Sequence, residues 1–156
     1  MITITIKMAS LLSDIKVKSY MNTARIKDSE DQYSVRVGEE NEVEIRQSLQ
    51  NAWREMLSIC RKFLVLNLDP TTTTGDDELE ATIATDDKEL HLDFKEPMPA
   101  EVVDALAQAM HEYLVAGALR RFYTSTAMPD LVALYAPQEN AARATIHELI
   151  HYRPMP

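Results

Sequence analysis

Cysteine is nearly absent from this chain: Cys60 is the only one among 156 residues. A lone cysteine excludes an intramolecular disulfide framework and every zinc motif built on paired cysteines. Glycine is almost as scarce, at 3, which leaves no glycine-rich phosphate loop, makes sharp turns few and favours long helices. No apolar run approaches the roughly 20 residues that cross a bilayer. The opening MITITIKMAS alternates Ile with Thr and lacks the basic-then-apolar order of a secretory signal. The expectation is a soluble chain kept in a reducing, aqueous compartment. Basic residues are the minority, with 16 Lys and Arg against 25 Asp and Glu and a net charge of −9. Phosphate recognition rests on Lys and Arg, so this balance argues against direct, sequence-specific nucleic-acid binding. The same acidity argues against docking on an anionic membrane.

What is present suits one globular domain. Hydrophobic residues make up 46% and charged residues 26%, enough to bury a core without disulfide or metal. We read residues 1–156 as a single domain of the α+β class, with long amphipathic helices packed on a small antiparallel β-hairpin and an N-terminal strand. Ile2, Ile4 and Ile6 alternate with Thr3 and Thr5, the period of a half-buried strand. Residues 9–25 are open between helix and strand extension, with Leu11, Leu12, Ile15 and Tyr20 available as one helical face. YSVRV alternates again, ahead of Gly38. Ile45, Leu49, Ala52, Trp53, Met56, Leu57, Cys60, Phe63 and Leu64 recur at three and four, predicting a helix over about 41–65 with Asn41 as N-cap.

A polar stretch at about 69–78, DPTTTTGDDE, reads as a mobile acidic loop. Leu79, Ala81 and Ile83, then Leu90, Leu92 and Phe94, recur at every second position around TDDK, the pattern of a hairpin. Pro99 suits the first position of a helix running from about Ala100 to Tyr123. STAMPD breaks it. A short segment, Leu131 to Tyr135, then precedes Pro137, and a last helix is expected from about Gln138 to Tyr152.

One motif carries possible chemistry. HELIH places His147 and His151 one turn apart on a helix, where both could ligate zinc, with Glu148 as the base that activates a bound water. A catalytic zinc needs a third protein ligand, which peptidases of this kind usually take from downstream. Only Tyr152, Arg153, Pro154, Met155 and Pro156 follow. His91 falls on the polar side of its strand and His111 at the margin of a helix core, so neither is an obvious third ligand. The competing reading is a polar flank on a terminal helix whose buried stripe is Ala142, Ile146, Leu149 and Ile150. Cys60 sits inside an apolar stripe and reads as a small core residue. DSED, GEENE and TGDDELE lack the ligand order of a calcium loop. The expectation is therefore no catalytic residue, no metal and no cofactor.

The segment EIRQSLQNAWREMLSICRKFL, the hairpin, and then VVDALAQAMHEYLVAGALRRFYTSTAMPDLVALYAPQENAARATIHELIHYRP, together about 41–154, resemble neck proteins of tailed bacteriophages and prophages, the head–tail connectors and tail-completion proteins. The resemblance implies a non-enzymatic virion subunit that assembles in the host cytoplasm. It would form or join a ring at the head–tail junction, with copies of itself and other virion proteins as partners. Two alternatives stand beside it. One is a zinc-dependent hydrolase using His147, Glu148 and His151. The other is an intracellular adaptor with the same fold.

Overall fold

Alternation of Ile and Thr produces the first strand, β1 (Ile2–Ile6), and one residue later the period changes and α1 begins (Met8–Asn22). The computed structural model describes residues 2–22, 42–64, 88–94 and 97–152. The expected YSVRV strand, the Asn41 cap, the 69–78 loop and the Leu79–Ile83 strand lie outside them. The other elements are α2 (Glu42–Ile59), β2 (Lys88–Leu92), α3 (Ala100–Ser125) and α4 (Pro129–Ile150). The fold is α+β as expected: mostly helical, with one small antiparallel sheet among the described residues.

In that sheet β2 pairs with β1, Ile2 opposite Leu92, Ile4 opposite Leu90 and Ile6 opposite Lys88. The register puts Ile4, Ile6, Leu90 and Leu92 on one face, all buried, while Thr3 and His91 share the other. Period two on both strands enforces this, because a one-residue slip would turn every isoleucine to solvent. Leu64 adds an isolated bridge to Leu92, and the Asp93 N–H donates to the Phe63 carbonyl at 2.8 Å. That bridge explains why α2 stops at Ile59 rather than near 65. The chain turns through Cys60 and Phe63, whose N–H donates to the Cys60 carbonyl at 2.9 Å, to deliver Leu64 to the sheet.

Helix α3 is the centre. Tyr113 to Leu119 are buried without interruption, followed by Phe122 and Tyr123, so this stretch is enclosed on all sides. It packs against α4, α2, α1 and β1. Each fully buried Leu here, such as Leu106, Leu114 or Leu119, contributes about 1.5–3 kcal/mol relative to exposure. On α1 the buried stripe is Met8, Leu11, Ile15, Ser19 and Asn22. Tyr20, expected on the apolar face with Leu11 and Ile15, is instead 49% exposed, because the stripe advances by three and four from Ile15 to Ser19 and Asn22.

The chain reverses between α3 and α4 through Ala127, in the left-handed region at φ 57. The Met128 N–H donates back to the Tyr123 carbonyl at 2.9 Å, satisfying the helix end. The expected break at Pro137 does not occur: α4 is one helix from Pro129 to Ile150 with Pro137 inside it. Proline removes the bond to the carbonyl four residues earlier, that of Ala133. Both Ala133 and Pro137 are exposed, so water can satisfy the freed carbonyl. Leu131 and Tyr135 before the proline and Ala142 after it are buried, and their shared stripe holds the two halves in line.

Candidate functional site

HELIH occupies the last turn of α4. Ile146 and Ile150 are buried while His147 and Glu148 are exposed. His151 caps the helix, its Nδ1 donating to the His147 carbonyl at 2.8 Å. The two imidazoles lie with centroids 4.5 Å apart, and the Phe63 ring meets His151 edge-on at 5.8 Å. Among the described residues no three His, Cys, Asp or Glu come together in a cluster that could hold a metal ion. His91 contacts Thr3 Oγ1 through Nδ1 at 3.2 Å and lies 3.6 Å from Glu89. His111 Nε2 is 2.5 Å from Asp14 Oδ2, a contact that joins α3 to α1. The other two histidines are thus engaged within the sheet and against α1.

Cys60 is fully buried, and burial pushes its thiol up to about 12. It stays protonated at neutral pH and packs as the small hydrophobe its position suggests.

The dense polar cluster lies elsewhere, where α2, α3 and α4 meet. Glu139 of α4 is 2% exposed. Arg120 grips it with two donors, Nε to Oε2 and Nη2 to Oε1, the second at 3.2 Å. Arg121 Nη1 and Arg143 Nη2 each approach Glu139 Oε1 to 3.6 Å. Glu55 of α2 completes the set: its Oε2 lies 2.6 Å from Arg121 Nη2 and accepts from Arg143 Nη2 at 3.0 Å and from the Tyr113 hydroxyl at 3.0 Å. Arg143 also donates to the Tyr113 hydroxyl at 3.3 Å. Three guanidiniums thus face two carboxylates and one phenol.

Electrostatics follow from this geometry. Burial alone would raise the Glu55 carboxyl, but Arg121, the Tyr113 hydroxyl and Arg143 outweigh it and hold the group below its ordinary value. Burial raises the Tyr113 phenol, only partly opposed by Arg143. The hydrogen bond to Glu139 raises Arg120 despite burial. The arginines favour the ionised Glu55 and Glu139 favours the charged Arg120, so the cluster ties α2, α3 and α4 to one another.

Gly117 makes this approach possible. A Cβ there would stand 2.9 Å from Arg121 Nη1 and 3.2 Å from Ala52 Cβ. A second buried polar contact sits at the end of α1, where Asn22 Nδ2 donates to the Tyr135 hydroxyl at 2.7 Å and the Tyr123 hydroxyl at 3.3 Å, under stacked tyrosine rings. Finally, a groove of about 400 Å³ opens beside β1, between α1 and α3, lined among others by Thr5, Ile6, Lys7, Asp14 and His111.

Reading the sequence for motifs overlooked Glu139. Its signal was a carboxylate inside an apolar stripe, since Leu131, Tyr135, Glu139, Ala142, Ile146 and Ile150 recur at three and four. A charge at such a position needs an internal partner, and two arginines of the neighbouring helix and one of its own, four residues on, were available.

No helix among the described residues is long and apolar enough to cross a membrane. Comparison with protein-family models, with curated proteins and with solved structures gives no match to this chain.

Proposed function

We propose that the chain is a non-enzymatic virion assembly protein of a tailed bacteriophage or prophage, one that forms or joins an oligomeric ring at the head–tail junction. The observation that carries the assembly role is the outer face of α1. Val17 is 52% exposed, Tyr20 49% and Met21 68%, and positions 17, 20 and 21 share one side of a helix. The opposite side of α1 packs on α3. Scattered apolar residues are ordinary on a surface, but neighbouring ones on one helix face mark a contact site. The resemblance of about 41–154 to neck proteins, read from the sequence, also supports this reading. Net acidity suits a conduit past which DNA must slide without sticking.

Light scattering on the purified chain, with electron microscopy for ring shape, tests the reading. A closed oligomer that falls apart in the Val17→Glu/Met21→Glu double variant is the expected result. A stable monomer at every concentration would overturn the ring and favour the adaptor alternative. The hydrolase alternative retains one observation, the adjacent imidazoles of His147 and His151, and zinc content decides it.

A further inference from the structure

Strand β1 reads Ile2-Thr3-Ile4-Thr5-Ile6, and this string is the same in both directions. Among the described residues its only strand partner is β2, while β2 is flanked on its other side by Leu64. Among the described residues β1 is therefore an edge of the sheet. Its five residues include no charge, no proline and no bulge, features that commonly protect edges. Lys7, the nearest charge, follows the strand.

From these features we infer that β1 is a self-pairing edge, which joins a second copy of this chain in antiparallel register about a two-fold axis at Ile4. The register is dictated by the alternation. Centring on Ile4 places Ile2 opposite the partner copy's Ile6, and Thr3 opposite its Thr5. All isoleucines then remain on the core face, where Ile4 and Ile6 are already 2% exposed. The threonines form two cross-strand pairs on the outer face. Any one-residue shift would place isoleucine against threonine and turn one copy's apolar face outward. A palindromic strand meets the requirement of a two-fold contact, that the same surface complement itself. Space is available too. No described β2 residue lines the 400 Å³ groove, which is bounded by Thr5, Ile6 and Lys7 on the strand side. It flanks the end of β1 that the partner copy's Ile2 would approach.

The inference goes beyond the ring reading, because a two-fold contact pairs copies without closing a ring. The contact is short, and acidic copies repel one another at low salt, so the dimer is weak and strengthens with ionic strength.

Sedimentation equilibrium over a wide concentration range, at moderate salt, is the experiment, read together with amide-exchange protection of residues 2–6. Three chains are compared: the parent, Thr3→Lys/Thr5→Lys, and Thr3→Glu/Thr5→Lys. Both threonines are exposed, and opposite them on β2 stand His91 and Glu89, so each variant is compatible with the folded monomer. The all-lysine variant sets like charges opposite each other twice and should weaken pairing by roughly tenfold. The charge-complementary variant should restore it. Circular dichroism confirms that all three remain folded. A parent that stays monomeric throughout, with β1 amides equally protected at all concentrations, would overturn the inference. So would dimers indifferent to both double variants. A ring lost on mutating α1 but intact in the all-lysine variant would support the assembly reading while rejecting β1 pairing.

Discussion

The last turn and the middle of α4 use charged side chains in opposite ways. Its last turn displays His147 and Glu148 in solvent, in a spelling that resembles a zinc site. Two turns earlier Glu139 is buried among Arg120, Arg121 and Arg143 and belongs to no motif at all. The conspicuous residues face solvent, while the inconspicuous one ties α4 to α3. Motif spelling reports spacing along a helix, and spacing alone does not supply ligands. Burial of a charge, by contrast, forces partners to exist, because an unpaired carboxylate in the interior costs several kcal/mol.

The sharpest way to break the contrast is Glu139→Ala. It leaves Arg120 and Arg121 facing one another without their shared carboxylate, and removal of one partner of a buried pair costs about 3–5 kcal/mol. Arg120 has 29% of its side chain exposed and can turn to water, so about 3 kcal/mol by chemical denaturation is expected. A loss below about 1 kcal/mol would show that the network is dispensable.

Next in size is Gly117→Val. Its Cβ alone would meet Arg121 Nη1 and Ala52 Cβ at 2.9 and 3.2 Å, so Arg121 must swing aside and Ala52 of α2 must give way. Overpacking of this kind costs about 1–3 kcal/mol, read as a lower denaturation midpoint. An unchanged midpoint would mean that α2 can shift freely.

Smaller still is the acid dependence of Glu55. Its folded carboxyl lies below the ordinary value, so its ionisation favours folding above the unfolded pKa. That contribution disappears as pH falls through the lower folded value, in the window below about pH 4.3. The side chain is 49% exposed, which limits the effect to a few tenths of a kcal/mol. Glu55→Gln should lower stability by that amount at neutral pH and leave it nearly unchanged at low pH, which flattens the acid limb. A full-sized acid limb in the variant would assign it to other carboxylates.

The smallest effect belongs to the recognisable motif. His147→Ala should leave the melting temperature unchanged, and parent and variant purified without a metal-affinity step should both lack stoichiometric zinc. One zinc per chain in the parent and none in the variant would revive the hydrolase alternative.

Periodicity along the chain determined a good deal. The stripe from Ile45 to Leu57 defined α2, alternation at Ile2, Ile4 and Ile6 defined β1, and Leu90 and Leu92 marked the inner face of β2, because each pattern needs only one face of its own element to be buried. The same patterns left α1 ambiguous, since its stripe includes Ser19 and Asn22. Asn22 is intelligible there only once Tyr123 and Tyr135 stand above it, 101 and 113 residues away.

Tertiary structure alone decided three matters. It kept α4 continuous through Pro137, because packing on α3 outweighed one missing hydrogen bond whose carbonyl faces water. It ended α2 early, because Leu64 was needed at the sheet. And it chose the partners of Glu139 on α3, because Arg120 and Arg121 join Arg143 around it only when α3 and α4 lie side by side. Local pattern fixes which face of an element is apolar, and only the packed neighbours fix what a charge on that face will meet.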